Sequence, residues 1–125
     1  MTFMGNTKRG IIHVRFIDKV EYYREYFNNT YQIMIIEGKQ YVYLMINTET
    51  SLIKIGFSIK PGYSEKTLHS QEPSVHLIAY WESSRKTEKE LHLKYKSKRM
   101  RGEWFRLNMK ELYELEAYMD QKNLY

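Results

Sequence analysis

The sequence predicts an α+β fold in which a small antiparallel β-sheet, with a three-strand meander as its core, is flanked by helices. Three observations indicate this class. Short apolar runs of strand length follow one another in the first half of the chain, turn-forming residues separate them, and segments with helical spacing lie on both sides. The 125 residues, 42% of them hydrophobic, suffice for one core and exclude two full domains.

The first 30 residues predict one strand and one short helix. Residues 11–17 alternate loosely between apolar and polar types, which is typical of a strand. Asp18 is a suitable N-cap for a helix that would place Val20, Tyr23 and Phe27 on one face. No residue in this part of the chain predicts a particular chemistry.

Three apolar runs predict the meander, at residues 31–36, 41–46 and 52–57. A turn containing Gly38 would join the first two runs as a hairpin, and polar residues 47–51 would join the second run to the third. Pro61 then suits the first turn of a helix that ends before Pro73. Tyr63, Thr67 and Leu68 would face one way on this helix.

The remaining elements are one strand and two helices. An apolar run at residues 75–81 predicts the strand. Ser84 is a suitable N-cap for a helix to about residue 99, with a buried stripe at four-residue spacing formed by Thr87, Leu91 and Tyr95. After Gly102, Asn108 and Glu111 predict a capping box for a last helix. Its core face would consist of Leu112, Leu115 and Met119.

Basic residues are concentrated in one segment of an otherwise near-neutral chain. Between Arg85 and Arg101, eight lysines and arginines stand against Glu88 and Glu90 only, whereas the whole chain has a net charge of +5. Such a segment is what binding to a phosphate backbone requires, because released counterions supply most non-specific affinity for nucleic acid. A solvated helix face would have the same composition, so both interpretations are open.

The composition also excludes several classes of protein. The chain has no cysteine, which rules out a disulfide scaffold and a thiolate zinc site and favours an intracellular, cytoplasmic location. No apolar stretch approaches the ~18 residues that a membrane-spanning helix needs, so we expect no membrane partner. The oligomeric state is open, and residues 1–30 could provide a homodimer contact or an extra strand.

Two predicted strands carry side chains that could act together in chemistry. Tyr41 and Tyr43 share one face of their strand, and Lys54 and Gly56 share one face of the next. Phenol hydroxyls and an amine on one sheet surface could activate a water and hold a phosphate. Ordinary packing would explain the same pattern, because tyrosine is a good strand residue.

Glu88 and His92 lie one turn apart on the basic helix. A carboxylate among lysines is ordinarily an ion-pair partner. Alternatively, Glu88 could hold a hard cation such as Mg²⁺ together with substrate phosphate oxygens, a role for which His92 is poorly suited.

Five blocks of the sequence resemble the GIY-YIG nuclease superfamily, and in particular its short branch of the meiotically up-regulated-gene and phage T5 type. The strand motifs are similar in Tyr41-Val42-Tyr43 and Lys54-Ile55-Gly56-Phe57-Ser58, and further similarity lies in Glu65-Lys66-Thr67-Leu68, Glu88-Lys89-Glu90-Leu91-His92 and Gly102-Glu103-Trp104-Phe105. The resemblance assigns residues 37–125 to a GIY-YIG endonuclease-like domain and leaves residues 1–36 as an N-terminal extension.

The resemblance implies hydrolysis of DNA phosphodiester bonds with Mg²⁺ or Mn²⁺ and no organic cofactor. Tyr43 would help to deprotonate the attacking water, Glu88 would bind the metal, and Lys54 would add positive charge. Tyr41 and His92 are the other catalytic candidates. Glu103 would support the site, and His69 is interpreted as a surface histidine. Contacts with DNA are expected from Lys54, Lys60, Lys94, Lys98, Arg99 and Arg101.

Ser64 departs from the family pattern, which has an arginine at this position to hold the phosphate. Loss of one such donor commonly costs about 10²- to 10³-fold in rate. Three explanations are open: Ser64 is an introduced change, the protein is a degenerate binder, or Lys60 or Lys66 supplies the charge. A non-cleaving DNA-binding module is therefore the alternative function, and a protein-interaction domain with incidental charge is a third.

Overall fold

The first described segments form a two-stranded antiparallel sheet. The computed structural model describes residues 2–6, 11–15, 18–27 and 38–122. Strand β1 (Thr2–Asn6) pairs with β2 (Ile11–Arg15), with Thr2 opposite Arg15. The strand predicted near residues 11–17 is therefore confirmed over its described part.

The main sheet has five antiparallel strands in the order β5-β3-β4-β7-β6. These are β3 (Tyr41–Asn47), β4 (Ile53–Ser58), β5 (Val75–Glu82), β6 (Arg99–Arg101) and β7 (Trp104–Phe105). The predicted α+β class is confirmed. The predicted strand at residues 31–36 lies outside the described residues. Strand β3 lies between β4 and β5, so β5, β3 and β4 are three adjacent strands, with β5 at one edge of the sheet.

Within the described ranges, four helices accompany the sheet: α1 (Lys19–Tyr26), α2 (Pro61–Gln71), α3 (Arg85–Lys94) and α4 (Met109–Lys122). The predicted N-caps are confirmed, since Asp18 accepts from the Glu21 amide and Ser84 from the Thr87 amide. Helix α3 is shorter than predicted, because a 3-10 turn (Lys96–Lys98) follows it. None of these helices, in the part of the chain that is described, has the length and apolarity needed to cross a bilayer.

The core lies on both faces of β3, all seven residues of which are buried. On one face, Val42, Leu44 and Ile46 pack with the predicted apolar stripes of α3 and α4. On the other face, Tyr43 and Met45 pack with a smaller cluster that includes Leu68 of α2. Of the three residues predicted to face one way on α2, Leu68 packs on the sheet, whereas Tyr63 and Thr67 are exposed.

Candidate functional site

Tyr43 reaches across the neighbouring strand because residue 56 is a glycine. Tyr43 of β3 lies opposite Gly56 of β4, on the sheet face that also carries Lys54. A Cβ atom added at Gly56 would lie 2.3 Å from Cζ of Tyr43 and 2.4 Å from its hydroxyl oxygen. Any side chain at this position would therefore displace the phenol, which explains why the motif places a glycine beside a tyrosine.

His92 lies beside the part of β4 at which the pairing with β7 has ended. Strand β7 pairs with β4 only at Ile53 and Lys54, and beyond them the Ile55 amide donates to the Glu103 carbonyl at 3.0 Å. The carbonyl of Ile55 lies 2.8 Å from Nε2 of His92. Since a carbonyl oxygen only accepts, Nε2 carries a proton, and in the neutral ring the lone pair of Nδ1 remains available.

Glu88, His92 and Glu103 form one cluster at this edge of the sheet. Each residue offers a ligand atom, and these three atoms lie within 4.8 Å of one another. Glu88 and His92 come from successive turns of α3, whereas Glu103 comes from the turn between β6 and β7. The sequence predicted a supporting role for Glu103; the structure places it in the cluster itself, through the backbone contact with Ile55.

The Glu88 carboxylate is buried without full compensation. Glu88 is 4% exposed. Its Oε2 atom has no hydrogen-bond partner within the part of the chain that the structure describes. Burial raises the pKa of Glu88 above its usual value, and the charge of Glu103 raises it further, against opposing effects of His92 and Arg85. The Glu103 side chain is 44% exposed, so the cluster is open to solvent on that side. This donor set fits a divalent cation.

Tyr43 and Lys54 share the field of these carboxylates. Burial, followed by the charges of Glu103 and Glu88, raises the pKa of Tyr43 well above its usual value, so its hydroxyl stays protonated. The amine of Lys54 lies 3.5 Å from the Glu103 carboxylate and 5.9 Å from the ring centroid of Tyr43. The structure thus brings together Tyr43, Lys54, Glu88 and His92, as the sequence predicted.

Arg85 is a neighbour of the cluster that sequence reasoning missed. Its guanidinium lies 3.9 Å from Oε1 of Glu88 and 4.5 Å from the ring centroid of Phe57, and its side chain is 62% exposed. Contact with Phe57 orients the group, while its exposure leaves hydrogen-bond donors for a substrate. The signal was present in the spacing, since Arg85 lies three residues before Glu88 on one helix.

Tyr41 and Ser64 are held in contacts of their own. Tyr41 is buried and packs edge to face on Tyr80, with ring centroids 5.9 Å apart. The hydroxyl of Ser64 donates to the hydroxyl of Ser58 at 2.9 Å. Lys60 is exposed at the start of α2. The catalytic roles of Tyr41 and Ser64 and the DNA contact of Lys60 stay predictions.

The basic segment is not a single helix. Only Lys94, among the four basic residues predicted there to bind DNA, belongs to α3, whereas Lys98 lies in the 3-10 turn and Arg99 and Arg101 lie in β6. All four side chains are exposed. Residues 99–101 form an edge strand that Gly102, with a φ of 51°, turns back into β7. The expectation of one long basic helix is therefore wrong, because the chain changes direction within the segment.

The fold and the cluster define a small α+β domain with a carboxylate and imidazole site at one sheet edge. The family model of the T5orf172 domain matches residues 40–118, more than half of the chain. The chain therefore belongs to the T5orf172 domain family, which is related to nuclease-type domains and thereby to interaction with nucleic acid. The phage T5 part of the sequence resemblance is confirmed. No curated protein and no solved structure matches the chain.

Proposed function

We propose that this protein is a metal-dependent endonuclease of the GIY-YIG type that hydrolyses phosphodiester bonds in DNA. The observation that carries the proposal is the convergence of Tyr43, Lys54, Glu88 and His92 with Glu103 around the edge of β4. Phenol, amine, carboxylate and imidazole groups supply what hydrolysis of a phosphodiester needs: orientation of water, neutralisation of charge and a place for a cation.

The chain's own residues divide this work between them. Glu88, with Glu103 and His92 beside it, would hold Mg²⁺ or Mn²⁺, and the cation would supply polarisation of a phosphoryl oxygen. Tyr43 acts as a neutral phenol, because burial and the nearby carboxylates raise its pKa. Its oxygen accepts a hydrogen bond from the attacking water and orients it. This role is more limited than the deprotonation expected from the sequence resemblance.

Two positively charged side chains, those of Lys54 and Arg85, flank the site and would contact the phosphate. Lys54 is 14% exposed and is held by Glu103, so its charge is fixed in position. Arg85 is more exposed, and its planar fork can donate two parallel hydrogen bonds to phosphate oxygens.

Ser64 supports a second function, that of a DNA-binding module that does not cleave. Its short side chain is engaged with Ser58 and carries no charge. Lys66, which follows on α2, has an exposed side chain and makes no ion pair within the part of the chain that the structure describes. If cleavage requires a guanidinium on this helix, the chain binds DNA without cutting it.

Plasmid nicking in Mg²⁺ and in Mn²⁺ tests both functions. We expect cleavage by the wild type and a loss of about 10²-fold or more in Glu88→Gln, with DNA affinity retained. Cleavage by Ser64→Arg but not by the wild type would favour the binding module. Absence of cleavage in both proteins, with intact DNA binding, would contradict the nuclease proposal.

Arg85 gives a separate test with a neighbouring control. Arg85→Ala should lower the cleavage rate by about 10²-fold, because it removes a donor that can stabilise charge on the phosphate. Lys86→Ala removes the adjacent exposed charge from the same helix and should change the rate less than about threefold. Equal effects of the two variants would show that Arg85 acts only through net charge.

A further inference from the structure

The cluster of Glu88, His92 and Glu103 combines oxygen and nitrogen atoms that can bind a metal ion. This combination of ligand atoms indicates which class of cation the cluster prefers. We infer that these residues form a mixed nitrogen and oxygen site that selects a first-row transition ion, with Mn²⁺ as its accessible representative, over Mg²⁺. The inference rests on the proposed function, which puts a cation at these residues. It deepens that function by naming the class of ion.

The imidazole of His92 is oriented as a metal ligand. The bond from Nε2 to the Ile55 carbonyl fixes both the ring plane and the tautomer, and Phe105 packs against the ring with centroids 5.0 Å apart. Metal-bound histidines usually make such a bond through the nitrogen that does not bind the metal. Nδ1 is the nitrogen left with a lone pair for a cation, and a nitrogen of this ring lies within 4.8 Å of oxygens of two carboxylates.

The orphaned oxygen of Glu88 is the second, independent observation. A buried carboxylate atom without a hydrogen-bond donor is costly, and a second carboxylate within 4.8 Å adds repulsion. Neither Arg85, at 3.9 Å from the other oxygen, nor Lys54, which is held by Glu103, satisfies this atom, and the Glu103 carboxyl can hydrogen-bond to Glu88 only when one of the two carboxyls carries a proton. A cation bound between the carboxylates and Nδ1 would satisfy it.

The donor set discriminates between ions by their chemistry. Mg²⁺ requires near-ideal octahedral oxygen coordination and gives up its waters reluctantly, so an imidazole nitrogen contributes little to its binding. Carboxylate oxygen suits both Mg²⁺ and Mn²⁺, whereas an imidazole nitrogen favours first-row transition ions, of which Mn²⁺ is the most weakly bound and therefore the most demanding test. One nitrogen among three protein ligands therefore shifts the preference toward the transition ion.

The experiment measures binding of the metal alone to the full chain after it has been stripped with chelator. Electron paramagnetic resonance titration with Mn²⁺, with Mg²⁺ as competitor, should give an affinity for Mn²⁺ at least about tenfold higher than that for Mg²⁺. A cluster that is satisfied by protons, with His92 charged and one carboxyl neutral, would bind neither ion at millimolar concentration and would overturn the inference.

His92→Gln isolates the contribution of Nδ1. Its amide nitrogen can still donate to the Ile55 carbonyl, but it replaces the nitrogen ligand with an oxygen at best. We expect at least about a tenfold loss of Mn²⁺ affinity with little change for Mg²⁺. His69→Gln is the matched control, because His69 lies beside His76 on another part of the surface and should bind Mn²⁺ as the wild type does.

The outcomes for the ion and for the nuclease are separable. Unchanged selectivity in His92→Gln, with its thermal unfolding intact, overturns the mixed site even if the protein cleaves DNA. Selective Mn²⁺ binding by a protein that cuts no DNA supports the mixed site while the proposed nuclease fails.

Discussion

Gly56 is the residue whose identity is most tightly constrained by geometry. The ring of Tyr43 occupies the position of a Cβ atom, and that ring belongs to a buried strand on which the packing on both faces depends. A methyl group at this position must displace the phenol or bend β4.

We expect Gly56→Ala to lower the free energy of unfolding by about 1 to 3 kcal/mol, the usual cost of inserting atoms into a packed site. Cleavage should fall with it, because the hydroxyl of Tyr43 moves. Urea unfolding and plasmid nicking would measure the two effects. In a Tyr43→Ala background the same glycine substitution should cost much less, and equal costs in both backgrounds would contradict the contact.

Glu88 should reduce stability at neutral pH when no cation is present. Its folded-state pKa is raised above the unfolded value, so the folded protein favours the neutral acid, and stability is lost as pH rises through the folded-state pKa. Glu88→Gln should therefore be more stable than the wild type near pH 8 in chelator, by about 1 kcal/mol. This difference should vanish toward pH 4, as urea unfolding across pH would show.

Glu90, two residues further on, provides a control of opposite sign. Hydrogen bonds from Tyr118 and Lys122 lower the pKa of Glu90, so its ionised form stabilises the fold above the unfolded pKa. Glu90→Gln should be less stable than the wild type near pH 8. A gain of stability in both variants would indicate a general effect of removing negative charge.

At the level of secondary structure, elements with local determinants were predicted well. The capping box of α4 is an example, because the Asn108 side chain accepts from the Glu111 amide at 2.8 Å and the Glu111 carboxylate accepts from the Asn108 amide at 2.9 Å. Such contacts involve residues three apart and need no tertiary partner.

Asn108→Ala should therefore lower the free energy of unfolding by about 1 kcal/mol, measured in urea. Asn108→Asp retains an oxygen acceptor at the N-cap and should cost only a few tenths of a kcal/mol. An equally large cost for both variants would place the contribution of Asn108 outside the cap.

Elements that depend on distant partners were predicted less well. Residues 99–105 form a hairpin whose strands contain three and two residues, too short for a periodic pattern, so the basic run was interpreted as continuing α3. The position of Glu103 follows from its backbone contact with Ile55, 48 residues earlier in the chain, which no local pattern encodes. The strand and helix members of the cluster were therefore predicted as site residues, whereas Glu103, its turn member, was predicted only as a supporting residue.

At the level of the whole molecule, composition predicted the class and one core, and the resemblance of a few blocks located the site. The basic residues were predicted in the right segment of the sequence, but the prediction that this segment is one helix was wrong. The exposed basic side chains are divided between helix α3 on one side and the edge strand β6 with the turn before it on the other, so they do not form one helix face. DNA contact would then follow a sheet edge that runs beside the cluster.

Replacement of Lys98, Arg99 and Arg101 by glutamine tests this edge as a phosphate-binding surface. The slope of log affinity against log salt concentration should become shallower by about 2 to 3, since each lost phosphate contact contributes about 0.9. Fluorescence anisotropy with duplex DNA at several salt concentrations would measure it. Replacement of Lys19, Lys39 and Lys110 removes the same charge elsewhere, and an equal change there would contradict a localised surface.

The backbone of Ile55 has a consequence for how the site comes apart. Its amide is bonded to Glu103 and its carbonyl to His92, so a single residue fixes two of the three donors relative to β4. If the strand frays at Ile55, the atoms that could bind a metal ion move apart while the buried core stays folded. A bound ion would therefore oppose fraying, and we expect amide hydrogen exchange at Ile55 to slow as the occupancy of the ion rises.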